Sequence, residues 1–111
     1  MNIGYRTVGD VIIVDMQGRL DSQGSGLAYD ELVKTAKSDN KKVVLNLANL
    51  EYASSAGLRA ILTAAKLLKT SSGEMRICNA KGVVKEVLEA SGFDHLVNID
   101  DDEGAAVTAL A

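Results

Sequence analysis

The run Leu45-Asn46-Leu47-Ala48-Asn49-Leu50-Glu51-Tyr52-Ala53-Ser54-Ser55-Ala56-Gly57-Leu58 passes from an apolar strand, through a turn holding two serines, directly into a helix. From Leu58 the apolar residues recur at Leu58, Ile61, Leu62, Ala65 and Leu68, the i, i+3, i+4, i+7 spacing of a single buried helical stripe. Lys66 and Lys69 fall outside that stripe and face water. A serine at such an entry caps backbone N–H groups that the first helical turn leaves unpaired. The same groups, with the helix dipole, stabilise a phosphate carried on the serine. On the residues alone, a cap and a switch both stay open.

Upstream, Lys42-Val43-Val44-Leu45-Asn46-Leu47 is rich in β-branched and aliphatic residues and reads as a central strand buried on both faces, set off by Asp39-Asn40. Ile3 to Val8 and Val11-Ile12-Ile13-Val14-Asp15-Met16, with Gly9-Asp10 between them, read as an N-terminal hairpin. Beyond Arg19-Leu20-Asp21-Ser22 a helix of roughly three turns places Ala28, Leu32 and Ala36 on one side with Tyr29 and Val33 beside them, and Ser22 or Ser25 as its cap. Downstream, Ser72-Gly73 is a glycine stop, and Met75 to Cys78 is the next strand. Asn79 to Ser91 is a helix with Val83, Val84, Val87 and Leu88 inward and Gly92-Phe93 as its cap. Leu96-Val97-Asn98-Ile99 is a short strand, and the acids from Asp101 lead a small terminal helix carrying Ala105, Ala106, Val107 and Leu110. The expected class is α/β: a mixed, largely parallel sheet of four to five strands with an N-terminal hairpin and about four helices, lying mainly on one face. In such sheets functional groups gather where strand C-terminal ends meet helix N-termini, here Asp21, Ser54, Ser55 and Asn79.

With 111 residues, 47% apolar and 24% charged, residues 1–111 are expected to form one globular domain. The net charge of −3 and the lack of a basic cluster interleaved with aromatics argue against nucleic-acid binding. There is no signal-peptide pattern and no run near the roughly 20 apolar residues of a membrane helix, so a cytoplasmic protein without membrane insertion is expected. The single cysteine, Cys78, reads as a buried core thiol. No convergent acid, base, nucleophile or metal-ligand set is visible, so no enzyme activity, catalytic residue, metal or cofactor is expected. His95 lacks partners for a triad or zinc site. Asp100-Asp101-Asp102-Glu103 lacks the glycine and bidentate acid of a calcium loop and reads as a solvated run capping the last helix. Gly24-Ser25-Gly26 lacks the dinucleotide fingerprint and the Walker lysine and reads as a flexible helix entry. An enzyme alternative, a phosphate- or nucleotide-handling protein, would use that loop and Asp21.

Three segments then act together. Val43-Val44-Leu45-Asn46-Leu47 through Tyr52-Ala53-Ser54-Ser55-Ala56-Gly57-Leu58, Gly18-Arg19-Leu20-Asp21, and Val87-Leu88-Glu89-Ala90-Ser91-Gly92-Phe93 resemble, in order and over almost the full chain, the STAS domains of bacterial anti-sigma factor antagonists. That family's signature commonly reads Asp-Ser-Ser-Gly-Leu, and the serine two places before the glycine is phosphorylated by an anti-sigma factor that is also a kinase. The matching position is Ser55; Ser54 stands at the family's aspartate and Ala56 at its second serine. The resemblance implies a non-catalytic binding module that, unphosphorylated, sequesters an anti-sigma factor/serine kinase and so frees a sigma factor. Phosphorylation of Ser55, with Ser54 as the alternative acceptor, would end binding, and a serine phosphatase would restore it. Asp21 matches the aspartate of the family's Gly-x-Leu-Asp segment; Asp21, Ser54, Gly57 and Arg59 are assigned to partner binding or kinase orientation, and Leu58 to the core. The runner-up is a STAS scaffold subunit of a signalling or lipid-transport assembly, without phosphorylation.

Overall fold

In the computed structural model, which describes residues 1–39 and 41–111, the central strand is Lys42–Ala53. Asn40, half of the Asp39-Asn40 break, lies outside the described residues. Strands Asn2–Val8 (β1), Val11–Leu20 (β2), Lys42–Ala53 (β3), Glu74–Cys78 (β4) and Asn98–Asp100 (β5) form one sheet in the order β1-β2-β3-β4-β5. β1 and β2 are the antiparallel hairpin; every other pair is parallel. Helices Ser25–Ala36 (α1), Ser55–Thr70 (α2) and Gly82–Ala90 (α3) make the crossovers that parallel pairing requires, and Glu103–Leu110 (α4) follows β5. The mixed five-stranded sheet with an N-terminal hairpin and four helices agrees with the sequence pattern.

Alternate residues along a strand serve opposite faces, and the two faces bury different clusters. Val14 and Met16 of β2, Val43, Leu45 and Leu47 of β3, and Met75 and Ile77 of β4 pack with Ala28, Leu32 and Ala36 of α1, Ile61 and Leu68 of α2, and Val84 and Leu88 of α3. Val11, Ile13, Val44 and Cys78 point the other way, onto Ala106 and Leu110 of α4. Three helices therefore share one face and α4 covers the other. Continuous burial of Val43, Val44 and Leu45 explains why their run lacks alternation.

β3 extends past Leu47, where the apolar run gives out, to Ala53, through two register shifts against β2. An extra residue accommodated at each shift breaks the period of two, so the continuation is hard to recognise as strand. α3 starts at Gly82 and not at Asn79, because Asn79 (φ 60°) and Gly82 (φ 58°) are both left-handed and delay the helix. Val84 and Leu88 are buried as expected, but Val83 faces solvent. Gly92 turns the chain left-handed into a 3-10 turn at Phe93–His95, which sends Phe93 and Val97 inward, leaves Leu96 58% exposed, and postpones β5 to Asn98. At the end of α2 the left-handed residue is Ser72, not Gly73; Gly73 instead permits close approach, since a Cβ there would lie 2.8 Å from the Lys41 carbonyl oxygen.

The tightest contact lies at the other end of α2. A Cβ on Gly57 would lie 2.4 Å from Leu20 Cγ and 2.8 Å from the Leu20 carbonyl oxygen, so only glycine lets the helix entry rest on the end of β2.

Beside α4 the sheet becomes polar in an ordered way. Arg6 of β1 donates to both carboxylate oxygens of Asp15 (2.6 and 2.8 Å) and to Glu103, and Asn46 Nδ2 donates to Glu103 (3.0 Å). Asp100 likewise holds Arg76 (2.7 Å), and Asp102 caps α4 by accepting from the Ala105 N–H at 2.8 Å. The acidic run is thus only partly the solvated cap the sequence suggests: two of its members tie the C-terminal segment to β1, β3 and β4. The Arg6 hydrogen bond is the main cause holding Glu103 below its ordinary value of 4.5, with partial burial opposing it and Asn46 assisting.

In urea unfolding, Gly57→Ala should lower stability by about 1–3 kcal/mol through overpacking. Gly26→Ala, where a Cβ meets nothing within 4 Å, should raise it by up to about 1 kcal/mol through helix propensity. Val84→Ala should cost about 2 kcal/mol and Val83→Ala less than about 0.5 kcal/mol. Because the folded-state Glu103 value is depressed, its ionised form stabilises the fold above pH 4.5, and this contribution is lost as pH falls through the folded-state value. Stability measured against pH should therefore drop less steeply in Glu103→Gln below pH 4.5 than in the unaltered chain.

Candidate functional site

β2 and β3 end level with one another, Leu20 opposite Ala53, and the Ser54 N–H continues the ladder by donating to the Leu20 carbonyl at 2.8 Å. Ser54 keeps extended backbone (φ −87°, ψ 169°), and its carbonyl accepts the first helical bond, from Leu58 N–H at 2.9 Å. Its Oγ accepts from the Gly57 N–H at 3.1 Å. Ser54 is thus the N-cap of α2, in the geometry that favours serine there. Ser55 is the first helical residue and is exposed; Gly57 and Leu58 are buried, and Arg59 is exposed.

Asp21, the residue after β2, stands beside this entry because Leu20 is bonded to Ser54. Its Oδ1 accepts from the backbone N–H groups of Gln23 (3.1 Å) and Gly24 (3.0 Å), folding the chain into α1. The bond from Gly24 is the main cause holding this carboxyl below its usual range; desolvation opposes it, and Gln23 and nearby Arg19 assist. The sequence suggested Ser22 or Ser25 as the cap of α1, but neither fills that role: the helix begins after Gly24 without a side-chain cap, and Asp21 takes the turn's donors because its oxygen lies two and three residues upstream of them. The phosphate-loop reading of Gly24-Ser25-Gly26 loses its basis at the same point, since the Gly24 and Ser25 N–H groups are directed at Asp21.

Of the residues expected at strand ends, Asp21, Ser54 and Ser55 come together and Asn79 does not. β4 stops with Cys78 opposite Asn46, eight positions before Ser54 on β3. His95 lies exposed on the 3-10 turn. Two residues missed by the sequence pattern join the entry: Arg19 and Tyr52 are register partners, with the guanidinium 4.4 Å from the ring centroid. Extending β3 beyond Leu47 would have found them, by pairing the last residues of two neighbouring strands.

Two shallow grooves flank the exposed edge of α2. One, of about 220 Å³, is mainly apolar and runs from Ser55 and Arg59 past Leu62 to Phe93 and Leu96. The other, of about 340 Å³, separates α2 from α1 and is lined by Tyr29, Asp30, Arg59 and Thr63. A wider cavity, about 640 Å³, opens where β3 outruns β4, beside Asn49, Glu51 and Lys81, and touches none of Asp21, Ser54, Ser55, Gly57 or Arg59. Among the described residues no set of three or more His, Cys, Asp or Glu side chains is placed to hold a metal ion, and no helix is long and apolar enough to cross a membrane. Among the described residues the Ser55 hydroxyl has no hydrogen-bonded base, and the entry is flanked by the two grooves and by Arg19 and Arg59.

Residues 2–106 match the model of the STAS domain. BtrV of Bordetella bronchiseptica is 34% identical over 110 residues, covering 99% of this chain and 95% of that one. The anti-sigma F factor antagonist of Paenibacillus polymyxa is 34% identical over 103 residues, covering 90% and 86%. Among solved structures, SpoIIAA, a Bacillus cell fate determinant, superposes in its unphosphorylated form with a TM-score of 0.80 at 16% identity, over 97% of this chain and 96% of that one. Its phosphorylated form gives 0.73 at 15% identity, over 97% and 99%. At these identities the structural likeness is one of fold, while the domain match spans every residue from which the strand-serine-helix entry is built. This chain belongs to the STAS domain family.

Proposed function

We propose that this chain is an anti-sigma factor antagonist: unphosphorylated, it sequesters an anti-sigma factor that is also a serine kinase, and phosphorylation of Ser55 releases that partner. The observation that carries the assignment is the division of labour between two adjacent serines. Ser54 is occupied as the helix cap, whereas Ser55 is exposed at the first helical position. The name of the Paenibacillus relative, and the existence of SpoIIAA in phosphorylated and unphosphorylated forms, support the same reading.

In this mechanism the partner supplies nucleotide and catalysis: the γ-phosphoryl group of ATP passes to Ser55 Oγ, the hydroxyl proton leaves, and ADP departs. The product places about −1.5 to −2 charges beside the apolar grooves, where like-charge repulsion and desolvation oppose docking. Helix N–H groups and the dipole stabilise the phosphate within the chain, so modification does not need to unfold α2. Asp21 orients the entry by fixing the adjoining turn, Gly57 holds it against β2, and Arg59 meets the partner. A serine phosphatase resets the switch, and the cycle belongs in the cytoplasm beside the transcription apparatus.

Incubation with the cognate kinase and ATP, followed by mass spectrometry, should place a single phosphate on Ser55. Phosphate found outside Ser54 and Ser55 would overturn the switch. Ser55→Ala should keep partner affinity in a titration, and Ser55→Asp should weaken it by about tenfold or more.

A further inference from the structure

A phosphate on Ser55 calls for a counter-charge, and the chain holds one in reach. Ser55 opens α2, and Arg59 stands four positions later, one turn along the same face. Both are exposed, and both line the groove of about 220 Å³ that ends at Phe93 and Leu96. The chain has four arginines. Arg6 is fixed by Asp15 and Glu103, Arg76 by Glu74 and Asp100, and Arg19 lies over Tyr52. The Arg59 side chain has no hydrogen-bond or ion-pair partner among the described residues.

The order is also the favourable one, with the acid toward the helix N-terminus and the base four residues later. A phosphoserine carries acceptor oxygens that a guanidinium fork matches, giving charge-assisted bonds about twice as strong as neutral ones. The other charged groups around the entry are already committed or lie elsewhere. Asp21 is held by two backbone N–H groups, Arg19 is stacked, and Asp30 lies on α1 across the second groove.

We propose that Arg59 is the internal counter-ion of phosphorylated Ser55. In the unmodified chain its guanidinium is available on the docking surface; once Ser55 carries phosphate, Arg59 folds back one turn and pairs with it. Modification thereby changes the surface twice, adding anionic charge and withdrawing the arginine that lay free there. This role rests on the reading of Ser55 as the acceptor.

The test uses the full chain with phosphoserine incorporated genetically at position 55, so that no kinase enters the measurement. Urea unfolding of the serine and phosphoserine forms, each with Arg59, Arg59→Gln or Arg59→Lys, gives a double-mutant cycle. With Arg59, phosphoserine should favour the folded state by about three- to tenfold more than it does with Arg59→Gln. Arg59→Lys should restore part of that difference, and 1 M salt, where the Debye length is about 3 Å, should remove most of it. The ³¹P resonance of the same proteins gives an independent reading: the second phosphate ionisation should occur at lower pH with Arg59 than with Arg59→Gln. Identical phosphoserine effects in the Arg59 and Arg59→Gln backgrounds, with coincident ³¹P titrations, would overturn the pairing while leaving Ser55 as acceptor to stand on the kinase experiment.

Discussion

How closely a helix can approach the end of a strand decides the geometry of the whole α2 entry. Gly57 lies where any Cβ would collide with both the side chain and the carbonyl of Leu20, and the same carbonyl receives the Ser54 N–H. One strand end therefore fixes the helix by two contacts, a hydrogen bond to its cap and a van der Waals seat beneath its first turn. Asp21 follows Leu20 immediately, so the turn that starts α1 and the serines that start α2 inherit a common reference point. The exposed hydroxyl of Ser55 is consequently held by rigid elements, although the residue itself makes none of these contacts.

The sheet supplies that reference because β3 is secured on both faces. Its apolar residues are buried beneath α1, α2 and α3 on one side and α4 on the other, and Asn46 joins the Arg6–Asp15–Glu103 cluster where the second face becomes polar. The hairpin and the terminal helix, remote in sequence, are thus fastened to the central strand through one arginine and one glutamate. Exposed ion pairs contribute little singly; here a guanidinium shared between two carboxylates gives a more constrained geometry than an isolated pair.

Much of this was legible from period and composition. The run from Lys42 to Leu47 announced a buried strand, the stripe from Leu58 to Leu68 announced α2, and Ser54 stood where a cap belongs. What escaped has identifiable physical causes. Left-handed backbone at Asn79 and Gly82 delayed α3 and turned Val83 outward, while the apolar side chain of Leu96 resembled strand although the preceding turn faces it to water. The extension of β3 was obscured by two register shifts, and with it the Arg19–Tyr52 pair. At the entry, sequence could nominate Asp21, Ser54, Ser55, Gly57 and Arg59; that Asp21 spends its carboxylate on backbone donors, and that Gly57 is required by contact with Leu20, depends on spatial neighbours.

Cys78, beneath α4, carries a different consequence. It is the chain's one thiol, fully buried, and desolvation above all, reinforced by Glu103, Asp100 and Asp15, pushes it up to about 12. Peroxide and disulfides react with the thiolate, a form this residue scarcely populates at neutral pH, and α4 blocks the approach. Cys78 is therefore insulated from oxidation in the folded protein and cannot be cross-linked to a second molecule without first uncovering that face of the sheet.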